Sequence, residues 1–398
     1  MGFGNSMIYF IILFILLTFS ITDLLKKDQS ALLLLDKYIY FIAIMILLLF
    51  AGLRFDTGWD YKGYNYYYEL IPTVDDFFNN IEVFQSIYFE PGFKLLMMLA
   101  KSCGLDFYGF QFLVSLICII LINKSIRKEK SKLLFVFVYF STCYLFLNMS
   151  VIRQGIAVSF LYMAVYSLFN HNKKKAVIYL LIGCLFHFSL IVMLPILIVS
   201  DRERMSNKII YILVGIALIV YITQIHWLKL SFGTVSPLFP HEIAYKINMY
   251  LDSERFGKSR DIGIGIIEKI LTFIAILYVY GKTKERYDLI LLRFFIFYIV
   301  IYFAFYEITV LYDRLRFYFV AINVFVYLAI FNYFRSFNKV FVFFVICAYS
   351  LFSFFNILKS DSNRAVFIPY NSILESPNGI LPEFKGDTRI DRAIEMDR

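Results

Sequence analysis

Apolar residues in this chain come in long unbroken blocks separated by short polar connections. The blocks are Met7 to Thr22, Tyr38 to Leu53, Phe107 to Ile122, Leu133 to Leu147, Val151 to Phe169, Ala176 to Val199, Ile209 to Ile225, Ile262 to Tyr280, Leu289 to Tyr306, Phe317 to Asn332 and Val340 to Leu358. A helix needs about 17 to 25 residues to cross the hydrocarbon layer, so most blocks fit one span and the shortest need a few flanking residues. Lipid offers backbone groups no water, which leaves helices or a closed barrel. Barrel strands alternate over about ten residues, whereas these runs are continuous. The pattern predicts an all-α, polytopic integral membrane protein.

Composition agrees: 60% of residues are hydrophobic and 17% charged, against about 25% charged in a soluble domain. The net charge of +9 invites a nucleic-acid reading, but its placement excludes one. About half of the 39 basic residues sit in six short connections: Lys26 to Lys37, Lys124 to Lys132, Lys173 to Lys175, Arg202 to Lys208, Lys282 to Arg286, and Arg335 with Lys339. The positive-inside rule assigns these to the cytoplasm. The opposite connections differ in character. Residues 54 to 101 are richer in acids (Asp56, Asp60, Glu69, Asp75, Asp76, Glu82, Glu90) than in bases, and residues 226 to 261 are long and mixed.

Sides then alternate everywhere except at Ala176 to Val199, which must enter and leave on the cytoplasmic side. His187 lies at its midpoint, with Pro195 beyond. This stretch is expected to be a broken or re-entrant helical segment among about ten full spans, with both termini outside; a single straight span is the alternative. The first block, without preceding basic residues or a following small-residue cleavage site, is expected to be retained rather than removed as a signal. The five cysteines lack paired short spacing, so neither a disulfide framework nor a zinc site is expected. The expected organisation is one membrane domain over 1–358, with outer loops at 54–106 and 226–261, and an extended tail outside the membrane over 359–398.

Candidate chemistry lies on the outer side. Directly after the second block stands Gly52-Leu-Arg-Phe-Asp-Thr-Gly-Trp-Asp-Tyr-Lys-Gly-Tyr64. Asp56, Asp60, Tyr64 and Tyr68 recur at i, i+4, so a helix here shows two carboxylates and two phenols on one face. Carboxylates accept hydrogen bonds from sugar hydroxyls, and aromatic faces pack on sugar C–H surfaces. Interfacial tyrosines are common without any function, but Arg54, Asp56 and Asp60 are not explained that way. At Phe89-Glu-Pro-Gly-Phe93 a turn leads into a run too short to span, which predicts an interfacial helix; Glu90 serves either its positive end or a substrate.

Arg153 and Gln154, in Ile152-Arg-Gln-Gly-Ile-Ala157, enter the fifth block from outside. A charge inside a span generally faces a partner or an aqueous cavity, and anion binding is the favoured role. His187, in Leu185-Phe-His-Phe-Ser189, falls at the proposed helix break. Arg314 and Arg316, with Tyr318, sit between the ninth and tenth spans against the positive-inside bias; their forked guanidinium groups suit phosphate oxygens.

These segments, in this order, together with Pro369-Tyr370, resemble the EpsG-like, Wzy-type family of bacterial polysaccharide polymerases. The resemblance covers most of the chain. It implies a glycosyltransferase of the bacterial cytoplasmic (inner) membrane with its active site facing the periplasm or exterior. The implied reaction transfers a growing glycan from undecaprenyl diphosphate onto the non-reducing end of a lipid-linked repeat unit. No cofactor or metal is expected. The expected partners are an undecaprenyl diphosphate-linked oligosaccharide and membrane lipid, with a chain-length regulator and flippase of the same pathway as further candidates, and no nucleic acid. O antigen or other lipopolysaccharide, capsule and exopolysaccharide remain open as products.

On this reading Asp60 or His187 is the base. Arg153, Arg314 and Arg316 hold the diphosphate, and Arg54, Asp56, Tyr61, Tyr64, Glu90, Gln154 and Tyr318 contact glycan or substrate. The alternatives are a lipid-linked oligosaccharide flippase, whose cationic residues belong in a cavity within the membrane, and an O-antigen ligase.

Overall fold

The computed structural model describes residues 3–25, 30–199, 207–235, 265–307, 309–375 and 389–396. Expectations for 200–206, for most of the second outer loop (236–261) and for Pro377, Gly379 and Pro382 lie outside the described residues. The described residues are mostly helical, as the apolar blocks predict. Among the described residues, eight helices are long and apolar enough to cross a membrane: Met7–Leu25, Leu35–Gly52, Phe107–Ser125, Lys132–Ser150, Ile152–Phe169, Arg286–Ala304, Arg314–Tyr333 and Ser336–Lys359. The two other blocks expected to span are also helical. Asn207–Thr223 is shorter, and Gly265–Thr283 carries Glu268, Lys269 and Lys282.

Two compact units are present, Met1–Ile191 with Phe331–Arg398, and Val192–Ile330. The first begins with α1 (Phe3–Leu25) and α2 (Ser30–Gly52), followed by a two-residue strand β1 (Arg54–Phe55) and three short helices, α3 (Tyr61–Leu70), α4 (Ile81–Ser86) and α5 (Pro91–Ser102). Next come α6 (Phe107–Ser125), α7 (Lys132–Tyr139), α8 (Ile152–Phe169) and α9 (Lys173–Cys184). Local signals set their starts. Asp106 accepts the Gly109 N–H at 2.8 Å ahead of α6, Asn172 accepts the Lys175 N–H at 3.0 Å ahead of α9, and Pro91 opens α5, where a missing N–H costs nothing.

The helix begun by α7 is the innermost of this unit, touching α1, α2 and Ser336–Lys359, and is buried along nearly its whole length. It changes to π-helical winding over Phe140–Ser150. Such winding is rare and concentrates at functional sites. Its last turn abuts α8 so closely that a Cβ on Gly155 would lie 2.0 Å from the Leu147 carbonyl oxygen.

The stretch 176–199 is broken, as the sequence predicts. Helix α9 ends at Cys184, residues 185–187 are not helical, a 3-10 turn covers Phe188–Met193, and a short helix follows at Pro195–Val199. The described parts of the tail, 359–375 and 389–396, are not extended. Helix Asp361–Phe367 leads to β2 (Asn371–Ser372), which pairs antiparallel with β1, Arg54 opposite Ser372 and Phe55 opposite Asn371. Helix Arg389–Met396 buries Ile390 and Ala393, its apolar side. The physical reason is burial of Val366, Phe367, Tyr370, Ile390 and Ala393, which an extended tail would leave in water.

Candidate functional site

The loop after α2 is held by its own arginine. Arg54 is 1% exposed and donates to the Ala51 carbonyl at 2.5 Å and the Thr57 carbonyl at 3.2 Å. It thereby satisfies an acceptor in the last turn of α2, where helices leave carbonyls unbonded. Burial lowers its pKa to about 10, so it stays charged at neutral pH. The expected substrate contact at Arg54 therefore becomes a backbone clamp. The next turn uses left-handed backbone at Asp56 (φ 41°) and Gly58 (φ 115°), and α3 starts only at Tyr61. Asp56 is thus absent from the helix face expected to carry it. Burial raises its pKa, with Arg389 opposing.

Asp60 stands at the N-cap position of α3, half-buried, and its Oδ2 accepts the Tyr64 hydroxyl at 3.1 Å. Burial pushes the Tyr64 phenol pKa up, Asp60 adds to this, and Arg153 opposes it. Tyr61, Tyr64 and Tyr68 do share one face, but that face points into the core beside Phe89, Phe93, Phe107 and Phe110. Tyr61 and Tyr64 are at most 2% exposed, so neither offers a ring to a glycan. They position the loop.

Three sequence-distant segments meet next to this face. Glu90 accepts from Arg153 Nη1 at 2.5 Å through Oε2 and from the Phe188 N–H at 3.3 Å through Oε1. Gly92 N–H donates to the Leu185 carbonyl at 2.8 Å. A Cβ at Gly92 would sit 2.8 Å from that oxygen, so glycine permits the approach. The start of α5, the start of α8 and the break after α9 are thereby tied together. The Arg153 guanidinium carbon lies 4.5 Å from the Phe89 ring centre and 6.0 Å from that of Tyr64, while its Nε is buried without a hydrogen-bond partner. His187 is half-buried within the break, its Nδ1 2.7 Å from Ser189 Oγ. Gln154 is buried at 2% exposure.

Arg314 and Arg316 belong to the second unit, on helix Thr309–Tyr333. Arg314 is exposed, Arg316 is half-exposed with its guanidinium 5.1 Å from the Phe317 ring centre, and Tyr318 is fully buried.

Several polar residues escaped the sequence reading. In the first unit, Lys62 pairs with Asp391 at 2.8 Å, Trp59 Nε1 donates to Asn363 at 2.9 Å, and Arg389 donates to the Pro369 carbonyl. These contacts bring the tail onto the Asp56–Lys62 loop. In the second unit, Lys269 is 6% exposed and lies about 5 Å from the rings of Tyr298 and Tyr302. It pairs with Glu268, which also accepts the Tyr327 hydroxyl at 2.7 Å. Two adjacent charges inside the apolar block 262–280 were the available signal.

No curated protein and no solved structure matches the chain. A model of the EpsG family matches residues 37–372, a range that includes β1, the Asp60–Tyr64 turn, Glu90, Arg153, the His187 break and both arginines of the second unit. The chain belongs to the EpsG family.

Proposed function

We propose that this protein is a polysaccharide polymerase of the bacterial cytoplasmic membrane. It transfers a growing glycan from undecaprenyl diphosphate onto the non-reducing end of a lipid-linked repeat unit at the outer face. Family membership supports the polymerase class. One observation carries the reading further: Asp60 with Tyr64, Glu90 with Arg153, and the His187 break, spread over more than a hundred residues, form one connected junction at helix ends.

In the proposed reaction the acceptor hydroxyl oxygen attacks the anomeric carbon of the donor glycan. The carbon–oxygen bond to the diphosphate breaks, and undecaprenyl diphosphate leaves with the electron pair. The hydroxyl proton passes to Asp60 or His187 as general base. Arg153, anchored through one nitrogen by Glu90, retains donors for a phosphate oxygen, and its buried Nε is a donor whose lack of an acceptor costs about 1 to 3 kcal/mol. Arg314 and Arg316, within the second unit, carry the paired donor geometry that suits phosphate and are proposed as phosphate contacts on that unit alone. Fixed cations of this kind stabilise charge where it develops.

The test is reconstitution. Purified protein in lipid, given only undecaprenyl diphosphate-linked repeat units, is expected to lengthen them without nucleotide sugar, ATP or divalent metal, because the donor already carries its leaving group. Movement of the lipid across the bilayer with unchanged glycan length would overturn this in favour of a flippase.

A further inference from the structure

The tyrosines that present rings to solvent beside this junction are not those that the spacing singled out. Tyr66 is 60% exposed and Tyr88 is 70% exposed, with Tyr67 half-buried between them. Their arrangement is braced. The Tyr67 ring stands edge-on to Tyr66 (5.2 Å, 76°), to Tyr88 (5.2 Å, 88°) and to Phe89 (5.0 Å, 70°). Tyr88 also stands edge-on to Phe89 at 5.2 Å. Edge-to-face pairs at these separations are mutually attractive. Phe89 is the same ring that lies 4.5 Å from the Arg153 guanidinium.

We propose that Tyr88 and Tyr67, with Tyr66 beside them, form the sugar-binding face of the site, holding a pyranose ring of the lipid-linked glycan; the assignment rests on the polymerase reading above. Three observations favour a glycan over the bilayer interface as occupant. The Tyr88 ring stands edge-on to Phe89, and Phe89 is the ring that lies 4.5 Å from the Arg153 guanidinium, so one shared ring links the exposed tyrosine to the cation assigned to the diphosphate. The surrounding 54–101 segment is rich in acids, which disfavours anionic headgroups but accepts hydrogen bonds from sugar hydroxyls. The rings also brace one another edge-to-face, which lowers the ordering cost that a sugar would otherwise meet on binding. A sugar stacked on Tyr88 meets a ring face for its C–H surface and phenols for its hydroxyls.

The test uses full-length protein in lipid nanodiscs and two probes: undecaprenyl diphosphate, and the same lipid carrying the repeat-unit oligosaccharide isolated from producing cells. Tyr88→Ala is expected to weaken binding of the glycan-bearing probe by about tenfold, in line with loss of an aromatic contact, while leaving the bare lipid diphosphate unchanged. Tyr88→Phe keeps the ring and is expected to stay within about twofold of wild type. Tyr67→Ala is expected to follow Tyr88→Ala, because it removes the brace. Equal loss on both probes would show an interfacial role and overturn the proposal, as would wild-type binding in Tyr88→Ala. If the wild type fails to elongate while Tyr88→Ala shows this glycan-selective loss, the polymerase reading fails and the sugar face stands.

Discussion

Glu90 and Arg153, 63 positions apart, form a 2.5 Å ion pair in which the carboxylate also holds the Phe188 N–H. One carboxylate therefore fixes both the cation of α8 and the chain break that carries His187. Its side chain is 17% exposed and that of Arg153 is 18%, so water screens the pair poorly. Breaking a buried pair by removing one partner costs about 3 to 5 kcal/mol and losing an exposed one about 0 to 1 kcal/mol; with both side chains partly exposed, this pair falls between the two.

Glu90→Ala is accordingly expected to lower thermal stability by more than any substitution of the exposed acids Asp75, Asp76 or Glu82. Glu90→Gln, which keeps an acceptor for Phe188, is expected to fall between. Differential scanning fluorimetry in one detergent reads both. A Glu90→Ala protein as stable as wild type would remove the pair from the account of the fold.

Three glycines separate close approach from mere flexibility. A Cβ at Gly155 would sit 2.0 Å from the Leu147 oxygen, whereas Gly63 has nothing within 4 Å. Gly155→Ala is expected to destabilise by about 1 to 3 kcal/mol, since the obstacle is backbone. Gly63→Ala, inside α3, is expected to stabilise by up to about 1 kcal/mol. Gly58 combines φ 115° with a Cβ position 1.8 Å from the Met149 oxygen, so Gly58→Ala is expected to be the most damaging of the three. Parallel melting curves rank them.

The helices were legible because lipid forbids alternatives: a long apolar run has nowhere else to put its backbone. The break near His187 was legible from charge, since Lys173–Lys175 and Arg202–Lys208 claim the same side. The faces of α3 were not. Spacing put Asp56 on the helix, but left-handed backbone at Asp56 and Gly58 delays its start to Tyr61. Periodicity groups Tyr61, Tyr64 and Tyr68 without saying whether their side meets protein or water; packing on Phe93 and Phe110 decides it. The tail was misjudged because its partners lie some three hundred residues upstream. Trp59 with Asn363 and Lys62 with Asp391 leave no local signature.

Asp56 gives a pH prediction. Burial raises its carboxyl pKa above the ordinary 3.8, and one oxygen is buried without a hydrogen-bond partner. Between 3.8 and the raised value the folded chain holds a proton that the unfolded chain releases. The stabilising contribution is therefore complete below 3.8 and lost as pH rises through the folded value. Asp56→Asn removes that dependence. The variant is expected to melt higher than wild type at neutral pH, and the gain is expected to shrink on acidification. A gain that stays constant from acid to neutral pH would contradict the assignment.

Asp60 and His187 are separable as base candidates because their surroundings differ. Asp60 holds the Tyr64 hydroxyl at 3.1 Å on a rigid helix start, whereas His187 lies in the break and approaches Ser189 at 2.7 Å. A base acts on the reacting hydroxyl, so its loss lowers turnover while leaving the substrate bound. A positioning group carries the geometry of others, so its loss affects binding too. Asp60→Asn keeps an oxygen for Tyr64 and removes the basicity; if Asp60 is the base, elongation is expected to fall by about 10²- to 10⁴-fold with unchanged binding of the lipid-linked repeat. His187→Gln is then expected to retain turnover within about tenfold of wild type, and the reverse pattern assigns the base to His187. Full elongation by both variants would exclude each residue and require a base elsewhere in the junction, with Glu90 the next carboxylate to replace.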